Sequence, residues 1–283
     1  MPRTNAYRKP AANPFWAAVV LSACWASVAR AEDAFTLREI HELLVMDLES
    51  GTVTEVGAAE IPILAIARSP AGALYAAAIT PGVPGLPSRL WTLDPATATP
   101  TLVGELIDGL TPLGDLAFDA AGRLWLTAAG QLHEVDLATG MASPVGAPGG
   151  SLDGLAALGN ELYGIEETAP FRWRLAAVDK VTGGTTPIVP LPALDDRSSF
   201  DMDFDSAGRL WILVASFPSV LFRLDDLTSG QLETVPLGDP DDYLGLAIIP
   251  PPTPTEIPVA GTAGLLALAA ALLAAGLLRL RRC

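Results

Sequence analysis

A five-residue turn motif recurs along the sequence and constrains its fold more than any other feature. The motif reads Asp-x-x-Ser/Thr-Gly/Ala, and its copies begin at Asp47, Asp94, Asp136, Asp179 and Asp226, at spacings of 47, 42, 43 and 47 residues. Each copy lies between two short apolar runs. Because an Asp side chain accepts backbone N–H groups within a turn and Gly tolerates a positive φ, each copy predicts a β-hairpin.

A second motif alternates with the first. It consists of an apolar strand-like run, a Gly-centred turn and a Leu-aromatic pair, and its aromatic residues are Tyr75, Trp125, Tyr163 and Trp211. A recurring aromatic at one place in a repeated sheet packs between neighbouring sheets. We therefore expect these side chains to form core rather than a ligand cage.

Each period thus holds four short strands, which is the content of one β-propeller blade. Four periods are continuous, at about 61–106, 107–148, 149–192 and 193–239. The fifth is split, with three strands in 35–58 and an innermost strand at Tyr243–Ile249. The predicted fold class is an all-β, five-bladed propeller over 32–249, closed by its N- and C-terminal strands. A β-sandwich or a solenoid is the alternative, since periodicity alone does not prove ring closure.

The repeat unit, a strand followed by Asp-x-x-Gly-x-Leu-Tyr/Trp, resembles the repeats of bacterial NHL-like and sugar-enzyme-like propellers. Asp119 to Trp125 and Asp205 to Trp211 show the pattern. This resemblance implies the fold, and it implies no activity.

The N-terminus has the features of a secretion signal over residues 1–31. A basic segment with Arg3, Arg8 and Lys9 precedes an apolar run, and Ala29-Arg30-Ala31 supplies a small-x-small cleavage site for signal peptidase. An uncleaved membrane helix is the alternative.

A second signal overlaps the first, because Leu21-Ser22-Ala23-Cys24 resembles the lipobox of bacterial lipoproteins. That resemblance implies lipidation of Cys24 as a further alternative.

The C-terminus predicts a membrane span. Residues 259–278 contain no charge, and twenty helical residues cross a hydrocarbon core of about 30 Å. Arg279, Arg281 and Arg282 follow at once in the tail 279–283, which by the positive-inside rule places that tail in the cytoplasm and the body outside. The Pro-rich stretch 250–258 before the span predicts an extended linker.

This tail resembles the tripartite sorting signals of the PEP-CTERM and IPTL-CTERM type. Glu256-Ile257-Pro258 match the short motif, the span follows, and the three arginines complete the pattern. The resemblance implies recognition by an exosortase-type membrane transpeptidase and a location in the cell envelope, at the surface or outside the cell. A permanent single-span anchor is the alternative.

Charge and rare residue types exclude several functions. Segment 32–278 carries 10 basic and 32 acidic residues, a balance of −22 that repels a nucleic-acid backbone. The only cysteines are Cys24 and Cys283, so the body has no internal disulfide and no Cys-ligated metal. The only histidines, His41 and His133, have no nucleophile elbow near them, which argues against a Ser/His/Asp site. His133 alternates with Leu132 and Glu134, which predicts a surface position on a strand.

Acidic residues give the one candidate site. Asp201, Asp203 and Asp205 alternate along a strand, and Asp115 occupies the equivalent strand of an earlier repeat. Since innermost strands line the channel of a propeller, we predict that Asp115, Asp201 and Asp203 hold a cation such as Ca²⁺. Asp153 and Asp242 lie near the corresponding places in two other repeats. Solvated turn carboxylates are the alternative, and we assign Asp119 and Asp205 to that class.

These features favour a secreted, envelope-anchored, non-enzymatic propeller that acts as a binding or surface-display module. Segments 79–89 and 166–174, the latter with Phe171 and Trp173, are the predicted contact loops. One alternative is a glycan- or ester-hydrolase that uses paired channel carboxylates. The other is a structural component of an extracellular matrix.

Overall fold

The computed structural model describes residues 32–79, 88–107, 113–146 and 151–251. Across these residues the chain forms twenty strands and a short 3₁₀ helix, Pro192–Leu194. The described part of the chain contains no helix that is long and apolar enough to cross a membrane. The predicted signal peptide, the lipidation site at Cys24, the sorting motif, the C-terminal span and the basic tail all lie outside the described residues.

The strands form five antiparallel four-stranded sheets. Three strands of the first blade are β1 (Asp33–Arg38), β2 (Glu42–Asp47) and β3 (Val53–Ala58). The second blade holds β4 (Ile63–Arg68), β5 (Leu74–Ala78), β6 (Ser88–Leu93) and β7 (Pro100–Ile107). The third holds β8 (Leu113–Phe118), β9 (Leu124–Ala128), β10 (Gln131–Val135) and β11 (Ala142–Pro144). The fourth holds β12 (Ser151–Leu158), β13 (Glu161–Ala169), β14 (Arg172–Val178) and β15 (Thr185–Pro190).

The fifth blade holds β16 (Phe200–Phe204), β17 (Leu210–Val214), β18 (Val220–Leu224) and β19 (Glu233–Val235). The last strand, β20 (Tyr243–Ile249), returns to the first blade and pairs with β1, from Asp33 opposite Ile249 to Arg38 opposite Tyr243. The first blade is therefore split between the two ends of the body, as the sequence predicts.

The sheets close into a ring around a central channel. The innermost strands contact one another in the cyclic order β20, β4, β8, β12, β16 and back to β20. This confirms the five-bladed propeller, and the sandwich and solenoid alternatives are wrong.

The five innermost strands all run in the same direction along the channel. Their first residues, among them Leu64, Leu113 and Leu244, line a small cavity at one mouth, which we call the narrow mouth. Their last residues, among them Phe118 and Phe204, line a larger cavity at the other, the wide mouth. The two mouths define two faces of the propeller.

The face around the wide mouth, here the turn face, carries the tight hairpin turns of both repeated motifs. The face around the narrow mouth, here the loop face, carries the hairpins β13–β14 and β17–β18 and the described connections between blades, at 59–62, 191–199 and 236–242. Glu32 and Pro250 both line the wide mouth, so both ends of the described chain lie on the turn face.

The repeated turns behave as their sequence predicts. In the first copy, the Asp47 carboxylate accepts the N–H groups of Glu49 at 3.1 Å and Ser50 at 2.8 Å, and the equivalent Asp accepts turn N–H groups in the other four. The fifth motif position has a positive φ in every copy, including the one non-glycine, Ala98, at 59°. All five copies are therefore β-hairpin turns.

Each of these turns also packs against the outer edge of the blade before it. Gly140, for example, lies so close to Gly104 of β7 that a Cβ atom on Gly140 would stand 2.8 Å from the Gly104 Cα atom. Equivalent close approaches join Ala98 to Gly57, Gly183 to Gly146, Gly230 to Val189 and Gly51 to Pro236. The turns thus form a second, peripheral ring of contacts between blades.

The aromatic residues of the second motif lie in the core, as predicted. Trp125 and Trp211 are fully buried. Tyr75 packs on Phe118 of the next blade at 5.2 Å between ring centres, and Tyr163 packs on Phe204 at 5.3 Å. These contacts seal the interfaces between blades.

Candidate functional site

Asp115 lies at the centre of the channel and joins three blades. It is fully buried in β8, and its carboxylate accepts the N–H groups of Leu116 at 2.8 Å, Leu155 of β12 at 3.0 Å and Met202 of β16 at 3.0 Å. Burial and the charge of Asp201 hold the pKa of Asp115 well above its usual value, although these hydrogen bonds favour the charged form. The innermost strands have no neighbour on their channel side, and this carboxylate satisfies N–H groups that would otherwise be unpaired.

Asp201 is the second buried carboxyl of the channel and faces the narrow mouth. Burial and the charge of Asp153 raise its pKa to about 7, against a hydrogen bond from the Gly245 N–H of β20. Asp153 is partly exposed there, and burial likewise raises its pKa. The cavity at this mouth has a volume of about 110 Å³.

Asp203, two residues further along β16, faces the wide mouth instead. Its carboxylate accepts the N–H groups of Phe204 and Ile248, both at 2.8 Å. Burial raises the pKa of Asp203 to about 7, the charge of Glu32 adds to this effect, and the Arg68 guanidinium opposes it. The wide mouth therefore gathers Arg68 with Asp203 and Glu32, and it is also lined by the ion-paired residues Asp119 and Asp205.

The structure brings together only part of the predicted cation site. Asp115 and Asp201 are neighbours, whereas Asp203 faces the opposite mouth. Within the described residues, no group of three or more His, Cys, Asp or Glu side chains is placed to hold a metal ion. A Ca²⁺ site at Asp115, Asp201 and Asp203 stays a prediction, and it would require the ion to compete with the backbone donors described above.

The assignment of Asp119 and Asp205 to solvated turn carboxylates is wrong, since both are buried. Asp119 accepts hydrogen bonds from the indole N–H of Trp125 at 3.2 Å, the Arg123 Nε at 3.0 Å and the Lys180 Nζ at 2.9 Å. Burial opposes ionisation of Asp119, but hydrogen bonds from Lys180, from the Arg123 backbone N–H and from the Trp125 indole hold the pKa of its carboxyl below the usual value. Asp205 makes the same bonds to Trp211 and Arg209.

Other predicted residues also take different places. His133 is buried rather than on the surface, and burial lowers its pKa. Asp242 directly precedes β20, on the loop face. Segment 166–174 is mostly strand, with a turn at Pro170 and Phe171, and Trp173 is buried against Phe200 at 4.8 Å between ring centres. Of segment 79–89, residues 80–87 lie outside the described part of the chain.

The loop face carries a second depression, between the fourth and fifth blades. It measures about 420 Å³ and is lined by Asp195, Asp196, Arg197, Ser198, Val214, Ala215 and Ser216. Phe171, which is 54% exposed, accepts the Asp196 N–H on its carbonyl at 3.1 Å, and Phe217, which is 81% exposed, follows Ser216. Two exposed phenylalanines thus adjoin the residues that line a polar depression.

Sequence reasoning missed Arg68 and Glu32. For Arg68 a signal exists, because it stands where the aligned repeats carry Phe118 and Phe204. Glu32 directly follows the predicted cleavage site. Its role depends on the split blade, which places it beside Ser206, where it accepts that residue's N–H at 3.0 Å.

Comparison with known proteins supports the fold alone. No protein-family model and no curated protein matches the sequence. A chain of a nidogen/laminin complex superposes with a TM-score of 0.51 at 11% identity, over 77% of this chain and 98% of that one. TolB from Acinetobacter baumannii superposes with a TM-score of 0.49 at 16% sequence identity, over 78% of this chain and 55% of that one.

A PQQ-bound aldose sugar dehydrogenase from Streptomyces coelicolor also superposes with a TM-score of 0.49 at 16% sequence identity, over 76% of this chain and 81% of that one. The present chain therefore spans about half the length of TolB. At such identities the likeness concerns architecture, and the function has to be argued from the site itself.

Proposed function

We propose that this protein is an exported, envelope-anchored, non-enzymatic propeller that binds a macromolecular partner through its loop face. One observation carries the proposal: both ends of the described body lie on the turn face, and the exposed aromatic rings lie on the opposite face. A tail that continues from Pro251 to a membrane anchor would leave the loop face directed away from that anchor. The predicted signal peptide and sorting tail supply the export and the anchor.

The chemistry of the loop face fits a protein or glycan surface as partner. Aromatic anchors beside a polar rim are the usual composition of a non-obligate interface. Phe171 and Phe217 supply the anchors, and the adjoining depression offers Asp195, Asp196 and Arg197 as polar groups. Two phenylalanines exposed to water on one face have no role in the core that would explain them.

The channel geometry supports a binding role over hydrolysis. A catalytic carboxyl pair has to touch its substrate, but Asp115 is fully buried and both its oxygens accept backbone N–H groups. The cavity beside Asp201, at about 110 Å³, is smaller than the roughly 300–1,000 Å³ of ordinary ligand sites. No feature of the described residues favours the matrix-component alternative over binding.

A topology experiment tests export. A reporter fused after Cys283 should be active only in the cytoplasm, while protease added outside the cell should reach the body. A tail that is later removed by a sorting enzyme would release the body from the reporter. A reporter that is active outside, or a body protected from protease, would contradict the proposal.

A binding experiment tests the loop face. The purified full-length chain should bind saturably to envelope fragments of a Gram-negative cell, and a Phe171→Ala, Phe217→Ala variant should lose at least tenfold in affinity. The matched control is Met141→Ala, Val181→Ala, which removes two exposed apolar side chains from the turn face. Equal affinities of the two double variants would place the contact elsewhere.

A further inference from the structure

The wide mouth holds a cavity of about 420 Å³ on the turn face. Its lining comes from all five blades, and its volume falls within the range of small-molecule sites. It lies on the face opposite the proposed macromolecular contact, so the inference drawn from it does not depend on that contact.

Arg68, at the end of β4, is the feature that calls for a ligand. Within the described residues its guanidinium makes no hydrogen bond and no ion pair, in contrast to Arg123 and Arg209 of the same face, which pair with Asp119 and Asp205. The guanidinium lies over the adjacent turn, where a Cβ atom on Gly72 would stand 3.1 Å from its Nη2 atom. Gly72 thus leaves room for it.

The repeat does not need this arginine. Aligned on the Gly turn, Arg68 replaces the core residues Phe118 and Phe204, and Ser69 replaces the buried Asp that pairs with arginine in the other two blades. The Ser69 hydroxyl still accepts a turn N–H, from Ala73 at 3.0 Å, so the turn is intact without an ion pair. A charged side chain that the blade does not use is available for binding.

Four acidic residues line the cavity with Arg68. Asp119 and Asp205 form ion pairs, whereas Asp203 and Glu32 form none among the described residues. Asp203 is partly exposed there, and Glu32 holds the Ser206 N–H and hydroxyl while it lines the same space. A carboxylate has about four lone-pair positions, so both groups keep free acceptor capacity beyond their present bonds. Phe118, Leu158 and Ile248 supply an apolar wall.

This combination selects the class of ligand. A planar guanidinium that makes no hydrogen bond or ion pair with any described residue favours a carboxylate, which it binds through two parallel hydrogen bonds. A plain anion, however, would be repelled by Asp203, by Glu32 and by a body with a balance of −22. A carboxylate that carries its own ammonium group avoids this repulsion, because the two acidic groups can accept from the ammonium.

We propose that the wide mouth binds a small zwitterion with an apolar side chain, of the class of a free apolar α-amino acid. Arg68 holds the carboxylate, Asp203 and Glu32 accept from the ammonium, and the apolar wall contacts the side chain. The expected affinity depends on both charges of the ligand at once.

Isothermal titration of the purified full-length chain tests this with L-leucine and with two analogues that each lack one of its charged groups, here called its two halves. 4-Methylpentanoate lacks the ammonium, and 3-methylbutylamine lacks the carboxylate. L-Leucine should bind, and each half should bind at least tenfold more weakly. L-Methionine and L-phenylalanine serve as further probes of the apolar wall.

Two variants test whether a loss of leucine binding comes from the site itself or from a loss of the fold. Arg68→Gln should abolish leucine binding with an unchanged melting temperature, since Arg68 makes no hydrogen bond or ion pair among the described residues. Arg223→Gln, which removes an arginine on β18 outside the cavity, should bind leucine normally. Three results would each overturn the proposal: no binding of any of the three amino acids, equal binding of leucine and one of its halves, or full binding by Arg68→Gln.

Discussion

The carboxylate of Asp203 accepts a hydrogen bond of 2.8 Å from the backbone N–H of Ile248. Asp203 belongs to the innermost strand of the fifth blade and Ile248 to β20, the strand that completes the first blade. One side chain therefore fastens the closing strand to the blade beside it. The backbone pairing of β20 with β1 fastens it on the other side.

Deletion of residues 243–249 should destroy the cooperative fold. The deletion removes Tyr243, Leu246 and Ile248, all buried, at about 1.5–3 kcal/mol each, and it exposes the edge of β1. That loss approaches the ~5–15 kcal/mol of a whole domain. Urea unfolding followed by tryptophan fluorescence measures it. Deletion of 252–258, which is equally long and follows the described body, is the control and should leave the midpoint unchanged.

Replacement of Asp115 should show that its carboxylate stabilises the channel. Asp115→Leu leaves the N–H groups of Leu116, Leu155 and Met202 buried without an acceptor, at about 1–3 kcal/mol for each. Asp115→Asn keeps one acceptor oxygen and should lose clearly less stability. A Leu variant as stable as the Asn variant in urea unfolding would show that these hydrogen bonds contribute little.

Stability should decrease as the pH rises from about 4 to about 7. The pKa values of Asp201 and Asp203 are raised to about 7 in the folded protein, above the 3.8 of a free Asp, so the folded state binds protons that the unfolded state has released. The stabilisation is complete below pH 4 and lost above pH 7, and for Asp201 it is on the order of 4 kcal/mol at most. Unfolding midpoints between pH 4 and pH 8 measure it.

Asp201→Asn should flatten that dependence, because an amide does not titrate. Asp226→Asn is the matched control. Hydrogen bonds from Thr228 lower the pKa of Asp226, so its contribution is present above pH 4 and lost only as the pH falls further. Asp226→Asn should therefore change the stability below about pH 4 and leave the pH dependence of stability between pH 4 and 7 unaltered. If the stability of Asp201→Asn decreases with pH as steeply as that of the parent, groups other than Asp201 cause the decrease.

Gly140→Ala should destabilise the peripheral ring of turns. Gly140 has a φ of 80°, which costs an L-residue about 1–2 kcal/mol, and the new Cβ atom would stand 2.8 Å from the Gly104 Cα atom. Ala98→Gly changes the equivalent position of the second blade in the opposite direction and should be tolerated to within about 1 kcal/mol. Melting temperatures compare the two, and equal losses would mean that the interface between blades tolerates an added methyl group.

Local sequence patterns predict the blades well, and the channel only in part. The Asp47 turn and its four equivalents follow from residues two to four positions apart, so a single sequence contains their cause. The alternation in β16 likewise predicts that Asp201 and Asp203 face the channel. It does not show that they face opposite mouths, because that depends on where β20 and β4 lie.

Long-range contacts explain the errors. In the sequence, Asp119 resembles an exposed turn residue. In the fold, Lys180, 61 positions away, donates a hydrogen bond to its carboxylate. His133 alternates with its neighbours like a surface residue, yet it is buried. Arg68 departs from its own repeat, and an alignment of the four copies of the Gly-turn motif reveals that departure from the sequence alone.

The split first blade also sets the order of events during synthesis. Among the strands, those in 33–58 leave the ribosome first, and their missing innermost strand is made last, at 243–249. At about 5–20 residues per second, the edge of β1 waits on the order of ten seconds or more for its partner. Until then the ring is open and the native state is out of reach. A nascent chain held back in this way can still be threaded through a translocation pore, which a closed ring could not pass.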